Sequence, residues 1–374
     1  MEPQRETRAT LQAAAEATLA AAGGATRTCT LWVPGRIEVV GKHTDYARGR
    51  SMVCAIDRGL VFVASPRDDA KLVVVSRGAP DRLEYALTDC TASVELAANN
   101  KGWAKYVTAV VNFFAIHRGD AIPPLTIALA ADLPQNAGLS SSSAIICGVA
   151  AILAKQVAGS PALSADDLGK IESNNLVGTR GGSQDHAAIT MAKAGYLSVF
   201  RYVHGTQLDK HIPMPCGLVF VVAVSGVSAC KTGNALEKYN RLADASHAVK
   251  VERARHESEF VVPLASLAFS SSNLQMLRAA IGISQRHAES NLMTTVPETE
   301  WLQRKALELG AIAASVFGAG FGGAVYAITR ADDAETLCTT WGGAYGQAFP
   351  VASRASEFFI TRPSECMTFL DGAE

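Results

Sequence analysis

A glycine and four consecutive serines, Gly138 and Ser140–Ser143, sit inside the stretch LPQNAGLSSSSAIICGVAAILAK, Leu133 to Lys155. A β-rich run, Leu125–Ala130, precedes them, and an apolar helical pattern, Ser142–Val157, follows. A helix N-terminus offers unpaired N–H groups and the positive end of the helix dipole. Glycine and serine let a bulky anion come close, and hydroxyls add donors or a metal ligand. This is the chemistry of a polyphosphate cradle. A single serine would suffice to cap a buried helix; four after a glycine favour the cradle.

Two further stretches carry chemistry. ESNNLVGTRGGSQDHAAIT, Glu172 to Thr190, delivers Asp185 and His186 from a glycine-rich bend into an apolar segment. A carboxylate there needs a partner or a hydrogen bond. Asp185 reads either as a helix N-cap or as one half of a pair with Arg36. SVFGAGFGGAVYA, Ser315 to Ala327, contains G-x-G-x-x-G at Gly318, Gly320 and Gly323. Those glycines precede a strand pattern (Ala324–Ile328) and lie late in the chain, a context that rejects a dinucleotide site. A tight turn needs fewer glycines, so close approach of backbone to a ligand or a facing loop is expected. The fourth stretch is VPGRIEVVGKHTDY, Val33 to Tyr46, where a buried-strand pattern meets a Pro-Gly turn and then Arg36, Glu38, Lys42, His43 and Asp45.

The elements that must position these residues alternate. Strand-like runs at Thr28–Val33, Leu60–Ala64, Lys71–Val75, Leu125–Ala130, Leu218–Val224 and Ala324–Ile328 are interleaved with helical patterns at Trp103–His117, Ser142–Val157, Ser164–Asn175, Asn234–Lys250 and Pro297–Leu309. That predicts an α+β or α/β protein. The chain's 374 residues suit two domains with a cleft. Residues 193–215 read as a hairpin and connection. We therefore expect an N-terminal helix over 1–25, one domain over 26–200 and a second over 201–374.

Composition narrows the function. With 48% hydrophobic and 18% charged residues the chain buries a sizeable core, and a formal net charge of -1 gives no support for a nucleic-acid partner. Eight cysteines lack any C-x-x-C spacing and read as buried thiols of a reducing compartment. The acidic, Ala-rich N-terminus does not resemble a signal peptide, and the longest apolar run, Ala144–Ala154, is too short to span a membrane. A cytoplasmic protein is expected.

Taken in order, three of these stretches resemble the GHMP kinase superfamily (galactokinase, homoserine, mevalonate and phosphomevalonate kinases), and its galactokinase branch in particular. PGRIEVVGKHTDY is similar to the pattern P-G-R-x-x-x-x-G-E-H-T-D-Y; Pro134 and Gly138–Ser142 meet P-x-x-x-G-L-S-S-S; Gly318–Gly323 meets G-x-G-F-G-G. Gly182–His186 matches G-x-x-D-Q loosely. The resemblance runs from about Trp32 onward. It implies an N-terminal domain like ribosomal protein S5, a ferredoxin-like C-terminal domain, and an active site between them. It also implies transfer of the ATP γ-phosphate to the anomeric hydroxyl of a sugar, with Mg²⁺.

The roles it implies are these. Gly138, Ser140, Ser141, Ser142 and Ser143 cradle the phosphates, and Ser142 meets Mg²⁺. Asp185 takes or orients the proton of the attacking hydroxyl, and Arg36 holds Asp185 ionised and offsets developing charge. His43, Asp45, Gly182 and Tyr239 bind the sugar. Two departures stand out. The usual metal-binding glutamate position is Ser173 here, with Glu172 one residue earlier, about 100° away on a helix. Lys42 replaces a glutamate that helps bind the sugar's C6 hydroxyl. An acceptor has become a cation, which leaves two readings: Lys42 binds a C6 carboxylate, making the protein a galacturonate or other uronic-acid kinase, or it pairs with a nearby acid or solvent. A non-catalytic sugar- and nucleotide-binding regulator is the third functional alternative. A mevalonate-type substrate has no need of the hydrogen-bonding groups of HTDY.

Overall fold

The computed structural model describes residues 6–24, 26–87, 102–119, 121–135, 137–157, 160–174, 177–228, 240 and 248–371. Helix α1 (Arg8–Ala21) is capped by Thr7, whose hydroxyl oxygen accepts from the Thr10 amide at 3.1 Å. The first sheet contains β1 (Cys29–Val40), β2 (Arg50–Pro66), β3 (Lys71–Ser76), β4 (Arg82–Ala86), β5 (Leu125–Ala131), β6 (Tyr196–Arg201) and β7 (Gln207–Pro213). Its main path runs β1-β2-β5-β3-β4, with only the β3/β5 pair parallel, and β6 joins β2 and β7.

The central strands β1, β2, β3 and β5 are largely buried because both faces of the sheet are covered there, whereas β4 and β7 are mostly exposed. Side chains alternate across the sheet: Leu31, Val33, Phe62 and Val74 pack with the main core, while Trp32, Val61, Val63 and Val73 meet Leu11, Ala15 and Leu19 of α1. The N-terminal helix is thus docked on the sheet. The main core is closed by α2 (Ala104–Asn112), which continues into a π-helical turn at Phe113–Arg118, and by α3 (Ser141–Gln156) and α4 (Ala165–Glu172). The short α5 (Gln184–Met191) packs beside them, against α3 and α4.

Pro34 and Gly35, expected to turn the chain, instead lie within β1. The strand runs on through Val40 with two irregularities of register against β2, between Pro34 and Arg36 and between Glu38 and Val40. A proline donates no ladder bond and is accommodated at such a bulge. The expected turn is therefore a kink in a longer strand, and Arg36 and Glu38 project from it.

The second sheet is antiparallel, ordered β11-β8-β10-β9, from β8 (Leu218–Val224), β9 (Ala313–Phe317), β10 (Ala324–Arg330) and β11 (Glu357–Thr361). Helices α6 (Ala248–His256), α7 (Val262–Ser270), α8 (Leu274–Arg286) and α9 (Pro297–Glu308) connect β8 to β9, and α10 (Ala334–Ala348) connects β10 to β11. This is the β-α-β-β-α-β path of a ferredoxin-like unit. The hairpin expected at 193–215 is present as β6 and β7, and both belong to the first sheet. So do the last strands, β12 (Pro363–Ser364) and β13 (Thr368–Phe369), which pair with β2 and β1. Sheet membership therefore does not change once at residue 200; the chain returns to its first layer at the end. Across the two sheets, the Tyr326 hydroxyl donates to the Val39 carbonyl at 2.7 Å. No helix among the described residues is long and apolar enough to cross a membrane.

Candidate active site

Three segments far apart in sequence converge at the end of β1. Arg36 is buried, and its Nε donates to Asp185 Oδ1 at 2.7 Å while its Nη1 donates to the Gly138 carbonyl. The Ser140 hydroxyl donates to Asp185 Oδ2. One guanidinium thus ties the carboxylate at the start of α5 to the glycine–serine loop before α3. Ser140 sits at the N-cap of α3 in left-handed backbone, φ 65, and makes no side-chain cap. The capping alternative therefore fails for Ser140: its hydroxyl is turned to Asp185. The second alternative for Asp185, a partner of Arg36, is the one observed.

Two cavities meet at this pair. The smaller, about 480 Å³, is lined by Glu38, His43, Asp45, Gly182 and Gln184, among others. The larger, about 1880 Å³, is lined by Gly138, Ser140, Ser141, Ser142, Trp103 and Tyr106, among others. Arg36, Asp185 and Ala319 line both. The wall of the smaller one is acidic, with Glu38, Asp45, Glu172 and Asp185 facing a single arginine, Arg36. The larger one opens onto the N-terminus of α3, where the dipole and unfilled amides favour anions.

The glycine-rich segment after β9 faces the serine loop, as expected. Gly318 has φ 78, and a Cβ on it would stand 2.7 Å from the Gly138 carbonyl oxygen. Phe321, at φ 60, shares this left-handed backbone without being glycine. The two loops approach closely where Gly318 meets Gly138.

Glu172 is the last residue of α4 and is buried. Its Oε1 accepts from the Ser142 hydroxyl at 2.8 Å and its Oε2 from the Ser143 hydroxyl at 2.7 Å, and His186 Nε2 lies 3.1 Å away. The one-residue offset along the helix has not turned this carboxylate away from Ser142. Ser173 points elsewhere, donating to the Gly181 carbonyl at 2.9 Å. Ser143, expected among the phosphate contacts, is fully buried, is absent from the wall of the larger cavity and serves to hold Glu172. Among the described residues no cluster of three or more His, Cys, Asp or Glu is poised to bind a metal. The hydroxyl–carboxylate pair of Ser142 and Glu172 nonetheless offers the hard oxygen donors that Mg²⁺ takes alongside phosphate oxygens and water.

The loop after β1 carries His43, at φ 53, with Nδ1 2.7 Å from the Tyr46 hydroxyl. Asp45 Oδ2 accepts from the Gln184 amide at 3.2 Å, and burial raises its carboxyl above the usual range. Gly182 leaves room for that carboxylate, since a Cβ there would sit 2.3 Å from Asp45 Oδ2. The loop is gripped from the other layer. Arg253 of α6 donates to the carbonyls of Lys42 and His43, and the buried Glu257 accepts from the Gly41 amide at 3.0 Å. Sequence reasoning missed Arg253 and Glu257, because nothing local ties them to residues over two hundred positions earlier. It also gave no role to Tyr46, whose place beside His43 in HTDY was a usable signal.

Lys42 corrects an expectation. Its ammonium is buried, does not line the smaller cavity and lies 3.8 Å from Glu38 Oε1. The alternative in which it pairs with a nearby acid is the one found. Tyr239, expected at the sugar, lies outside the described residues.

Comparison with known proteins agrees with this geometry. Residues 105–193 match the GHMP kinases N terminal domain, residues 265–347 the GHMP kinases C terminal region, and residues 21–66 the galactokinase galactose-binding signature. Together these span more than half of the chain, which belongs to the GHMP kinase superfamily. It is an ATP-dependent sugar kinase of the galactokinase type. In fold it is similar to the Lactococcus lactis galactokinase solved with galactose, at 20% identity and TM-score 0.80 over 96% of this chain and 99% of that one. It is also similar to the mevalonate kinase of Methanococcus jannaschii, at 15% identity and TM-score 0.64 over 90% of this chain and 98% of that one. A third similar structure is the Streptococcus pneumoniae phosphomevalonate kinase, at 14% identity and TM-score 0.62 over 84% of this chain and 97% of that one.

Proposed function

We propose that the protein moves the γ-phosphoryl group of ATP to the anomeric hydroxyl of a neutral, galactose-type hexose, with the sugar in the smaller cavity and the triphosphate in the larger. The observation that carries this reading is the shared wall: the Arg36–Asp185 pair faces both cavities. Asp185 accepts the proton of the sugar hydroxyl, which displaces the Ser140 hydroxyl from Oδ2. The sugar oxygen then bonds to the γ-phosphorus as the bond to the β,γ-bridging oxygen breaks and ADP leaves. Backbone amides at the start of α3 and the Arg36 guanidinium stabilise the negative charge that builds on the transferring group. Ser142 and Glu172 would hold Mg²⁺, which neutralises charge on the β- and γ-phosphates.

The acidic wall argues against a uronic acid. A C6 carboxylate would enter among Glu38, Asp45, Glu172 and Asp185, with Lys42 buried behind Glu38. Coupled ADP release with MgATP over galactose, glucose, arabinose, galacturonate and glucuronate tests this. Galactose is expected to exceed galacturonate in kcat/KM by at least ~100-fold, roughly 3 kcal/mol of discrimination. Equal turnover of the two would sink the neutral-sugar reading. Cys29, Cys54 and Cys147 are buried free cysteines, which supports a reducing compartment such as the cytoplasm.

Gly182 supplies a second test. In Gly182→Ala the new methyl meets the Asp45 carboxylate, which must shift. The KM for sugar is expected to rise about tenfold or more, since hydroxyl contacts of one to two kcal/mol are lost, with the KM for ATP unchanged. A rise in both values together would place Gly182 outside the sugar site.

A further inference from the structure

The side chain that stands opposite Lys42 is unexplained by any role given so far. Arg36 and Glu38 lie two apart on β1 and so project from the same face. Both line the smaller cavity, and Glu38 is 4% exposed. Glu38 Oε1 is buried and has no hydrogen-bond partner, and neither has the Lys42 ammonium, although the two are 3.8 Å apart. Buried charged groups are ordinarily hydrogen-bonded as well as paired. A carboxyl group that lines a cavity, with a cation 3.8 Å behind it and an oxygen lacking a hydrogen-bond partner, is suited to meet a substrate hydroxyl.

We infer that Glu38 is a sugar-binding and specificity-determining residue, whose carboxylate accepts a hydrogen bond from a substrate hydroxyl, with Lys42 as its buried counter-ion. The galactokinase pattern places its glutamate at position 42; here position 42 is lysine and a glutamate stands four residues earlier. The acceptor has moved from the loop back into β1 and a cation has taken its former place. Burial pushes the Glu38 carboxyl up and the Lys42 ammonium down, and their mutual attraction opposes both shifts. Lys42, 3.8 Å away and off the cavity wall, is a positioning residue that acts through Glu38. The assignment rests on the sugar-kinase reading above.

The test uses the full-length protein with MgATP, galactose and the series of monodeoxygalactoses. Glu38→Gln is expected to lower kcat/KM for galactose by roughly ten- to a hundredfold, the range of one charge-assisted hydrogen bond, with the KM for ATP unchanged. For one deoxy sugar, the one lacking the hydroxyl that Glu38 accepts, wild type and E38Q are expected to be equal. Should E38Q fold poorly around an unpaired Lys42, the double variant Glu38→Leu/Lys42→Met removes the acceptor without leaving a lone buried charge, and the same coincidence is expected. A wild type that turns over none of these sugars would overturn the kinase reading and this assignment with it. A wild type active on galactose, with E38Q matching it or losing activity evenly across the whole deoxy series, would overturn the assignment alone.

Discussion

Asp185→Asn is expected to lower kcat by about a thousandfold, within the range that a positioned general base contributes, while leaving the KM values for sugar and ATP within a few-fold. The reasoning is geometric. Asp185 Oδ1 is fixed by Arg36 and Oδ2 is held by the Ser140 hydroxyl, at the boundary of the two cavities. An amide of the same shape preserves one acceptor oxygen and the packing but cannot take the sugar's proton. Steady-state kinetics on both substrates, with the melting temperature as a control for folding, read the result. A variant within tenfold of wild-type kcat would mean that the sugar hydroxyl loses its proton elsewhere, and Asp185 would then be only a partner for Arg36.

The second large effect is expected at Arg36, and it should fall on stability and catalysis together. Arg36→Met leaves Asp185 without its cation and the Gly138 carbonyl without its donor. Breaking a buried pair by removing one member costs about 3 kcal/mol or more. The lower end applies, because the Asp185 side chain keeps 19% of its surface exposed. Unfolding in denaturant should show that loss, and kcat/KM should fall by at least ~100-fold, as when a preorganised charge-stabilising group is removed. Arg36→Lys is expected to recover much of the stability and little of the rate, since one ammonium does not span both Asp185 and Gly138. A lysine variant with full activity would show that the guanidinium geometry is dispensable.

Much of this site was readable from residue order. The serine run, the glycine segment near Gly318 and the bend before Asp185 each needed a conformation or approach that few residue types permit, so type and spacing betrayed them. The fold class followed from alternating strand and helix patterns, and β8 was bounded correctly because its apolar run, Leu218–Val224, is set off at both ends. Other features were hidden for physical reasons. Pro34–Gly35 carries the signature of a turn, yet β2 provides a long partner strand along which a bulge absorbs the proline. The role of Ser143 depends on which face of α3 it occupies, and four identical letters do not reveal that. Lys42 was legible as an anomaly but not in direction: whether its ammonium meets substrate or Glu38 depends on the path of β1 and on α6, whose Arg253 pins the Lys42 and His43 carbonyls from far along the chain.

The account stands or falls on where the phosphoryl group goes. The most direct measurement is NMR of the product formed from MgATP and galactose, following phosphorus–proton coupling to locate the new ester. Phosphate on the anomeric carbon, formed by the wild type and about a thousandfold more slowly by Asp185→Asn, is the predicted result. Phosphate on C6, or release of inorganic phosphate with the sugar unchanged, would contradict transfer across the Arg36–Asp185 junction to an anomeric hydroxyl.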